Sequence, residues 1–333
     1  MLPFKLIYSD GYYLPIGAHV FPAEKYRLVH QRLLETGLAA PEDVLTPQPA
    51  TDADVLLVHT AEYVRKLKSG TLSAREEAVL EVPFSPQLVE AFWLAAGGSI
   101  LAARQALEDG VAVNLGGGFH HAFPGHGEGF CMIHDVAIAI RRLQKDGALE
   151  RAMTVDCDVH HGNGTAAIFA PAEESAAPLP SWAPATLGRA PSLAEGRAND
   201  VFTISLHQEN NYPAWKPPSS IDVNLPDGIR DDEYLAWLDN VLSSGLRSFT
   251  PQLLCYIAGA DPYREDQLGG LGLSIEGLKR RDQLVFRAAR ARRLPVMVTF
   301  AGGYARHVED TIQIHCNTVL AAREVFASVA NPG

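Results

Sequence analysis

The segment Asp156-Cys-Asp-Val-His-His-Gly-Asn-Gly164 constrains this chain more than any other. It follows an apolar run, Ala152, Met153 and Val155, that reads as a buried strand. Asp156, Asp158, His160 and His161 come directly after it. In an extended chain alternate side chains share a face, so Asp156, Asp158 and His160 are expected to point one way. Left unpaired away from water, each would cost on the order of several kcal/mol, so the cluster calls for a cation. Mixed nitrogen and oxygen donors favour zinc or a similar divalent metal. Gly162, Asn163 and Gly164 then permit a tight turn into a helix. A lone Asp or His there would read as a solvated strand end; this density of polar groups behind an apolar strand argues otherwise.

The rest of the chain alternates strand-like and helix-like segments. Strands are expected at Phe4–Tyr8, Val55–Val58, Val111–Leu115, Val201–Leu206, Leu253–Ala258 and Val296–Phe300. Helices are expected at Ala23–Glu35, His59–Leu67, Pro86–Leu107, Ile133–Leu143, Asp232–Leu246, Ser274–Ala291 and Val308–Val329. Gly97 and Gly98 inside the long third helix imply close packing on another backbone. Near-continuous apolar strands between helices argue an α/β fold, a single-domain open, mostly parallel sheet flanked by helices on both faces, over residues 1–333. Pro171–Asn199, dense in Pro, Ala, Ser and Glu, is a long irregular insertion, expected to shape a rim or an oligomer contact.

In such a sheet, ligands bind beyond the carboxyl ends of the strands. His120 and His121 follow one strand, Asp156, Asp158 and His160 the next, Asp261 another, and Tyr304 the last. Asp158, His160 and Asp261 form a three-ligand set with open positions, as catalytic metals have. His120 and His121 are placed to act as general base and acid. Asp156 would orient His120, and Asn163 would do so more weakly for His121. Tyr304 would donate to an oxyanion, its small neighbours Gly302, Gly303 and Ala305 letting the ring swing inward. Each residue alone has a plainer reading: a core histidine, a cap, a packed tyrosine. A phosphate loop at Gly116-Gly-Gly lacks the required spacing. His126 and His134 read as structural, and His207 stays outside the site.

Composition sets outer limits. At 333 residues and 47% hydrophobic, the chain can bury a full core. Its 28 basic against 39 acidic residues give a net charge of -11. That disfavours nucleic acid and weakly favours a cationic ligand such as a lysine-rich peptide or a polyamine. Cys131, Cys157, Cys255 and Cys316 are scattered without a Cys-x-x-Cys, as in a reduced, cytoplasmic protein. The N-terminus reads as a strand rather than a signal peptide, and no membrane span is expected.

Together these residues resemble the zinc-dependent histone deacetylase family of the arginase/deacetylase fold, from about Leu6 to Phe326 with Pro171–Asn199 excluded. The motifs are Gly117-Gly-Phe-His-His-Ala122, Gly129-Phe-Cys131, Asp156-x-Asp-x-His-His-Gly-Asn-Gly164, Ser205-Leu-His207, Gly259-Ala-Asp261 with Asp266-x-Leu-Gly-Gly270, and Gly302-Gly-Tyr304. Asp231-Asp-Glu-Tyr234, Leu268-to-Ser274 and Lys279-Arg-Arg-Asp282 are most similar to the class IV branch and its bacterial relatives. The resemblance implies one catalytic Zn2+ on Asp158, His160 and Asp261, with His121 given the base and acid work. It implies a lysine tunnel at Gly129, Phe130, Tyr212 and Leu268. It also implies a structural potassium ion (K+) at Asp156, Asp158, His160, Ser205 and Leu206, with a second cation near Phe169. Asn163 stands where class I members carry Asp, and Ala301 where many have Gly. The expected reaction is hydrolysis of an N-acyl-lysine in a protein or peptide, with an acylated small amine such as an acetylpolyamine as the alternative substrate. Two further readings are a two-metal ureohydrolase, which wants more carboxylates than can be placed, and a silent acyl-lysine binder. A homo-oligomer is left open, and so is iron in place of zinc.

Overall fold

The computed structural model describes residues 1–170 and 200–327. The expected insertion at 171–199 and the last two residues of the final expected helix lie outside the described residues. Eight strands form one sheet: β1 (Lys5–Ile7), β2 (Val44–Leu45), β3 (Val111–Asn114), β4 (Ala152–Asp156), β5 (Val201–Gln208), β6 (Ile221–Leu225), β7 (Leu253–Ile257) and β8 (Val296–Thr299). Their order is β2-β1-β3-β8-β7-β4-β5-β6, and every pairing is parallel. Strands β3, β4, β7 and β8 are buried at every position. Such strands need cover on both faces, which explains their unbroken apolar character.

The helices supply that cover. They are α1 (Lys25–Glu35), α2 (Asp52–Val55), α3 (Ala61–Ser69), α4 (Ala74–Leu80), α5 (Pro86–Asp109), α6 (Asp135–Lys145), α7 (Asn163–Phe169), α8 (Asp231–Ser248), α9 (Ile275–Arg290) and α10 (Val308–Phe326). Helix α5 lies along β3, β8 and β1 and packs on α6. Helices α1, α10, α9 and α8 pack in succession as a second group. None of the described helices is long and apolar enough to cross a membrane.

Three elements differ from the sequence reading. Val55–Val58 is not a strand: α2 ends at Val55, and the strand on the outer side of β1 is Val44–Leu45. A short apolar run has no decisive period. Here a capping box decides: Thr51 Oγ1 accepts from the Asp54 amide, and Asp54 Oδ2 accepts from the Thr51 amide at 2.8 Å. Helix α4 was not foreseen, although Ser73 and Glu76 form the same reciprocal cap. Strand β6 was also missed, although Ile221-Asp-Val-Asn-Leu225 alternates apolar and polar residues as a half-buried edge strand does.

The close packing expected at Gly97 is present. A Cβ there would sit 1.9 Å from the Gln48 carbonyl oxygen and 2.8 Å from the Ala50 amide nitrogen. Helix propensity alone would make Gly97→Ala stabilising by about 1 kcal/mol. The backbone clash acts in the opposite direction and is larger, about 1–3 kcal/mol or more. Gly97→Ala is therefore expected to lower the urea midpoint at unchanged m-value; a raised midpoint would refute the packing argument.

Candidate active site

The strands whose ends carry the reactive residues, β3, β8, β7 and β4, are consecutive neighbours in the sheet. Their carboxyl ends therefore open on one place. Strand β4 stops at Asp156, so strand alternation does not aim Asp158 and His160, contrary to the sequence reading. Side chains fold the loop instead. Asp156 Oδ1 accepts from the Asp158 amide at 3.1 Å, and Asp158 Oδ1 from the His160 amide at 3.0 Å. Across the gap, Asp261 Oδ1 accepts from the Val159 amide at 2.8 Å, and Asp158 Oδ2 from the Gly302 amide at 2.8 Å.

Asp158, His160 and Asp261 are all buried and offer ligand atoms to one point. His160 Nδ1 lies 3.0 Å from Asp158 Oδ1 and 3.3 Å from Asp261 Oδ2. Those are separations that donors around one ion at about 2 Å adopt. Asp261 Oδ2 is buried without a hydrogen-bond partner. An orphaned carboxylate oxygen beside a second carboxylate and an imidazole fits a divalent cation. Burial, with Asp158 close by, raises Asp261 to about 7. Burial also opposes charge on Asp158, but His120 and His160 outweigh it and hold that carboxyl well below its usual range. The two carboxyls therefore titrate as a coupled pair in which Asp261 is the one that holds a proton.

The paired histidines follow the β3 end. His120 Nδ1 is 2.7 Å from Asp156 Oδ2, and His121 Nδ1 is 2.8 Å from Asn163 Oδ1, as the sequence suggested. Their Nε2 atoms are 3.0 Å apart. Burial works against charge on His120, yet Asp156 and Asp158 prevail and lift it to about 9. Burial lowers His121 well below its ordinary value, and the nearby His120 and His160 push the same way. The pair thus divides into a proton-holding ring and a neutral ring with a lone pair.

A cavity of about 220 Å³ leads to these groups. His121, His160 and Tyr304 line it together with Gly129, Phe130, Tyr212 and Leu268. Glu81 stands at the same cavity, exposed on its other side. Tyr304 is already inside, with its ring centroid 6.0 Å from Phe130 and 6.3 Å from His160. A Cβ on Gly302 would be 2.0 Å from Asp261 Oδ2 and 2.6 Å from Asp158 Oδ2. Gly302 thus serves close approach to the two carboxylates. The Gly116–Gly118 loop is not a phosphate cradle either: Asp135 accepts from its Gly118 amide and from the Phe119 amide.

Sequence reasoning gave no role to several supports. Asp266 accepts from the amides of Leu268, Gly269 and Tyr304, tying the cavity wall to the tyrosine. Buried Arg281 on α9 donates to the carbonyls of Gly259 and Cys157, joining the β7 and β4 loops from below. Lys25 is fully buried on α1 and donates to the Ala301 carbonyl. Burial lowers it to about 8 against the pull of Asp261, Asp158 and Asp266. Asp266 and Arg281 lay inside quoted motifs, whereas nothing local marks Lys25.

Of the expected potassium ligands, two are neighbours across the sheet. The β4–β5 register pairs Asp156 with Ser205, and Leu206 is next in line, beside the loop of Asp158 and His160. His161, His207 and Asp222 form a second group of possible ligands. There His207 is engaged at both ring nitrogens, by Ser205 Oγ at 3.0 Å and Asn224 Oδ1 at 2.9 Å. His134 faces Thr165 Oγ1 and His126 stacks on Phe123, both structural as read.

Residues 19–319 match the family model described as Histone deacetylase domain. An uncharacterized protein of Picosynechococcus is 39% identical over 324 residues, covering 97% of this chain and 99% of that one. Histone deacetylase 2 of Arabidopsis thaliana is 32% identical over 326 residues, covering 93% of this chain and 78% of that one. Among solved structures, an HDAC homolog complexed with SAHA is similar in fold, with a TM-score of 0.74 at 24% identity over 98% of this chain and 88% of that one.

The carboxyl pair makes metal binding pH-dependent. In the metal-free protein the raised Asp261 contributes stability that is full below its ordinary value of 3.8 and lost as pH rises through about 7. Metal must displace that proton and also the one that, against burial, Asp158 and Asp261 hold on His160 up to about 10, so divalent-metal affinity is expected to rise with pH through this window and beyond it. Calorimetry near pH 6 in buffers of different ionisation heat should detect the released proton. No buffer dependence would contradict a proton held within the metal-free ligand set.

Proposed function

The chain belongs to the histone deacetylase domain family, and we propose that it is a zinc-dependent hydrolase that removes acetyl or longer acyl groups from the side-chain amine of lysine. One observation carries the reading: His160, a member of the ligand trio, lines the same cavity as His121 and Tyr304. A channel lined by Phe130, Tyr212 and Leu268 suits an aliphatic stem with an amide at its tip.

Asp158, His160 and Asp261 would hold Zn2+, which when bound supplies Lewis acidity to the acyl carbonyl and acidifies a water. His121 Nε2 takes the proton from the attacking water, its ring held by Asn163 through Nδ1. His120 faces that same Nε2, so the two rings act as one coupled unit, and the Asp156 carboxylate on His120 offsets the positive charge the pair gains. The Tyr304 hydroxyl donates to the oxyanion as the carbonyl oxygen gains charge. The histidine pair then returns a proton to the leaving amine, completing cleavage of the C–N bond. A structural K+ at Asp156, Asp158, His160, Ser205 and Leu206 would keep the β4 loop in place, and the class IV resemblance makes longer acyl chains worth testing.

Glu81 at the cavity favours a second reading, a small cationic amine such as an acetylpolyamine. Its carboxylate, with the net charge of -11, would attract a free ammonium beyond the scissile amide. A panel of acetyl- to fatty-acyl-lysine peptides and acetylspermidine, run on protein of measured zinc content, decides between the readings. Peptide turnover abolished by chelation and restored by zinc is expected. Turnover of acetylspermidine alone would establish the second reading.

Tyr304→Phe should keep its metal and lose about 10²-fold or more in kcat, the usual effect of removing one oxyanion donor. Undiminished kcat in that variant would remove the tyrosine from the mechanism.

A further inference from the structure

Glu128 lies beside the cavity, one residue before Gly129, and no step above uses it. Its Oε1 accepts from Asn163 Nδ2 at 2.7 Å and from the Tyr212 hydroxyl at 2.8 Å. Asn163 is 1% exposed and the Glu128 side chain 16%, so water competes little for these bonds. A carboxylate only accepts hydrogen bonds, whereas an amide has one accepting and one donating end. With Nδ2 committed to Glu128, Asn163 must turn Oδ1 inward. There it accepts from the Gly164 amide at 3.1 Å and faces His121 Nδ1 at 2.8 Å. His121 is then obliged to carry its proton on Nδ1 and to leave Nε2, which faces His120 Nε2 at 3.0 Å, as its accepting nitrogen. A flipped amide would set its oxygen against the carboxylate and its N–H groups against those of Gly164 and His121.

We propose that Glu128 is the positioning residue that fixes the direction of the hydrogen-bond chain ending on His121, and that it is the reason position 163 carries an amide. An aspartate at 163 would bring two carboxylates into contact at the same spacing, a like-charge arrangement in which both cannot stay ionised. By the same bond Glu128 couples the Tyr212 wall to the orientation of the base.

The test combines a double-mutant cycle with a measurement that needs no turnover. Asn163→Asp is expected to lose about tenfold or more in kcat with KM little changed, the scale of a lost outer-shell partner. Glu128→Gln alone should cost little, because its amide oxygen still accepts from Asn163 and Tyr212. The variant carrying both changes should recover most of the Asn163→Asp loss. In it the new amide at position 128 can donate to the new carboxylate at position 163, while that carboxylate accepts from His121. Nitrogen-15 NMR of the metal-free protein should place the His121 proton on Nδ1 in wild type, with mixed tautomers in Glu128→Leu. Three results would each overturn the proposal: Asn163→Asp at full activity, equal impairment by Asn163→Asp with and without Glu128→Gln, or an unchanged tautomer in Glu128→Leu. The kinetic arm rests on the lysine-deacylase reading. If wild type turns over no acyl-lysine substrate, that reading fails and the NMR arm still decides the role of Glu128.

Discussion

The site depends on holding two carboxylates, Asp158 and Asp261, in the same dry space. Two like charges out of water are tolerable only with a cation or a shared proton between them. The chain spends a large part of its backbone on this. The amides of Val159, His160 and Gly302 point at those carboxyl groups. Gly259 and Gly302 let the backbone come within reach, since a Cβ on either would lie 2.6 Å from Asp158 Oδ2. Arg281 underneath neutralises the carbonyls that this folding turns downward. Removing the cation would leave the amides arranged but the oxygens of Asp261 and Asp158 in conflict.

Around that pair the two histidines diverge in character although they are adjacent in sequence. A carboxylate, Asp156, sits on one and a neutral amide, Asn163, on the other. Burial is common to both, so the difference is in the partner. One ring is biased to hold a proton and the other to receive one, which is what an acid–base pair requires at a single pH. Catalytic geometry and proton placement thus come from the same few contacts.

Lys25 and Ala301 illustrate a second conflict. Ala301 adopts φ +50, a left-handed backbone that a residue with a Cβ rarely adopts, between the β8 end and the glycine pair. Its carbonyl receives the Lys25 ammonium, which lies 4.5 Å from the Phe21 ring centroid and 5.9 Å from that of Tyr304. A desolvated cation is thereby held at the back of the tyrosine, where its field opposes that of the buried carboxylates.

Much of this was legible in the sequence. Buried parallel strands must be apolar throughout, so β3, β4, β7 and β8 announced themselves, and ligands in such sheets gather at one edge. Polar residues placed straight after such strands have few explanations other than a site, which singled out Asp158, His160, Asp261, His120, His121 and Tyr304. The sheet edges were less visible, because β2 and β6 are short or half exposed and their pairing is supplied by neighbours. Only the tertiary structure brought Glu128 to Asn163, Asp266 to Tyr304 and Lys25 to Ala301. Those partners are 35, 38 and 276 residues apart, and no local period records a contact between one side chain and a distant backbone or amide. Composition and spacing determined which chemistry the chain carries; long-range packing decided which way each hydrogen bond points.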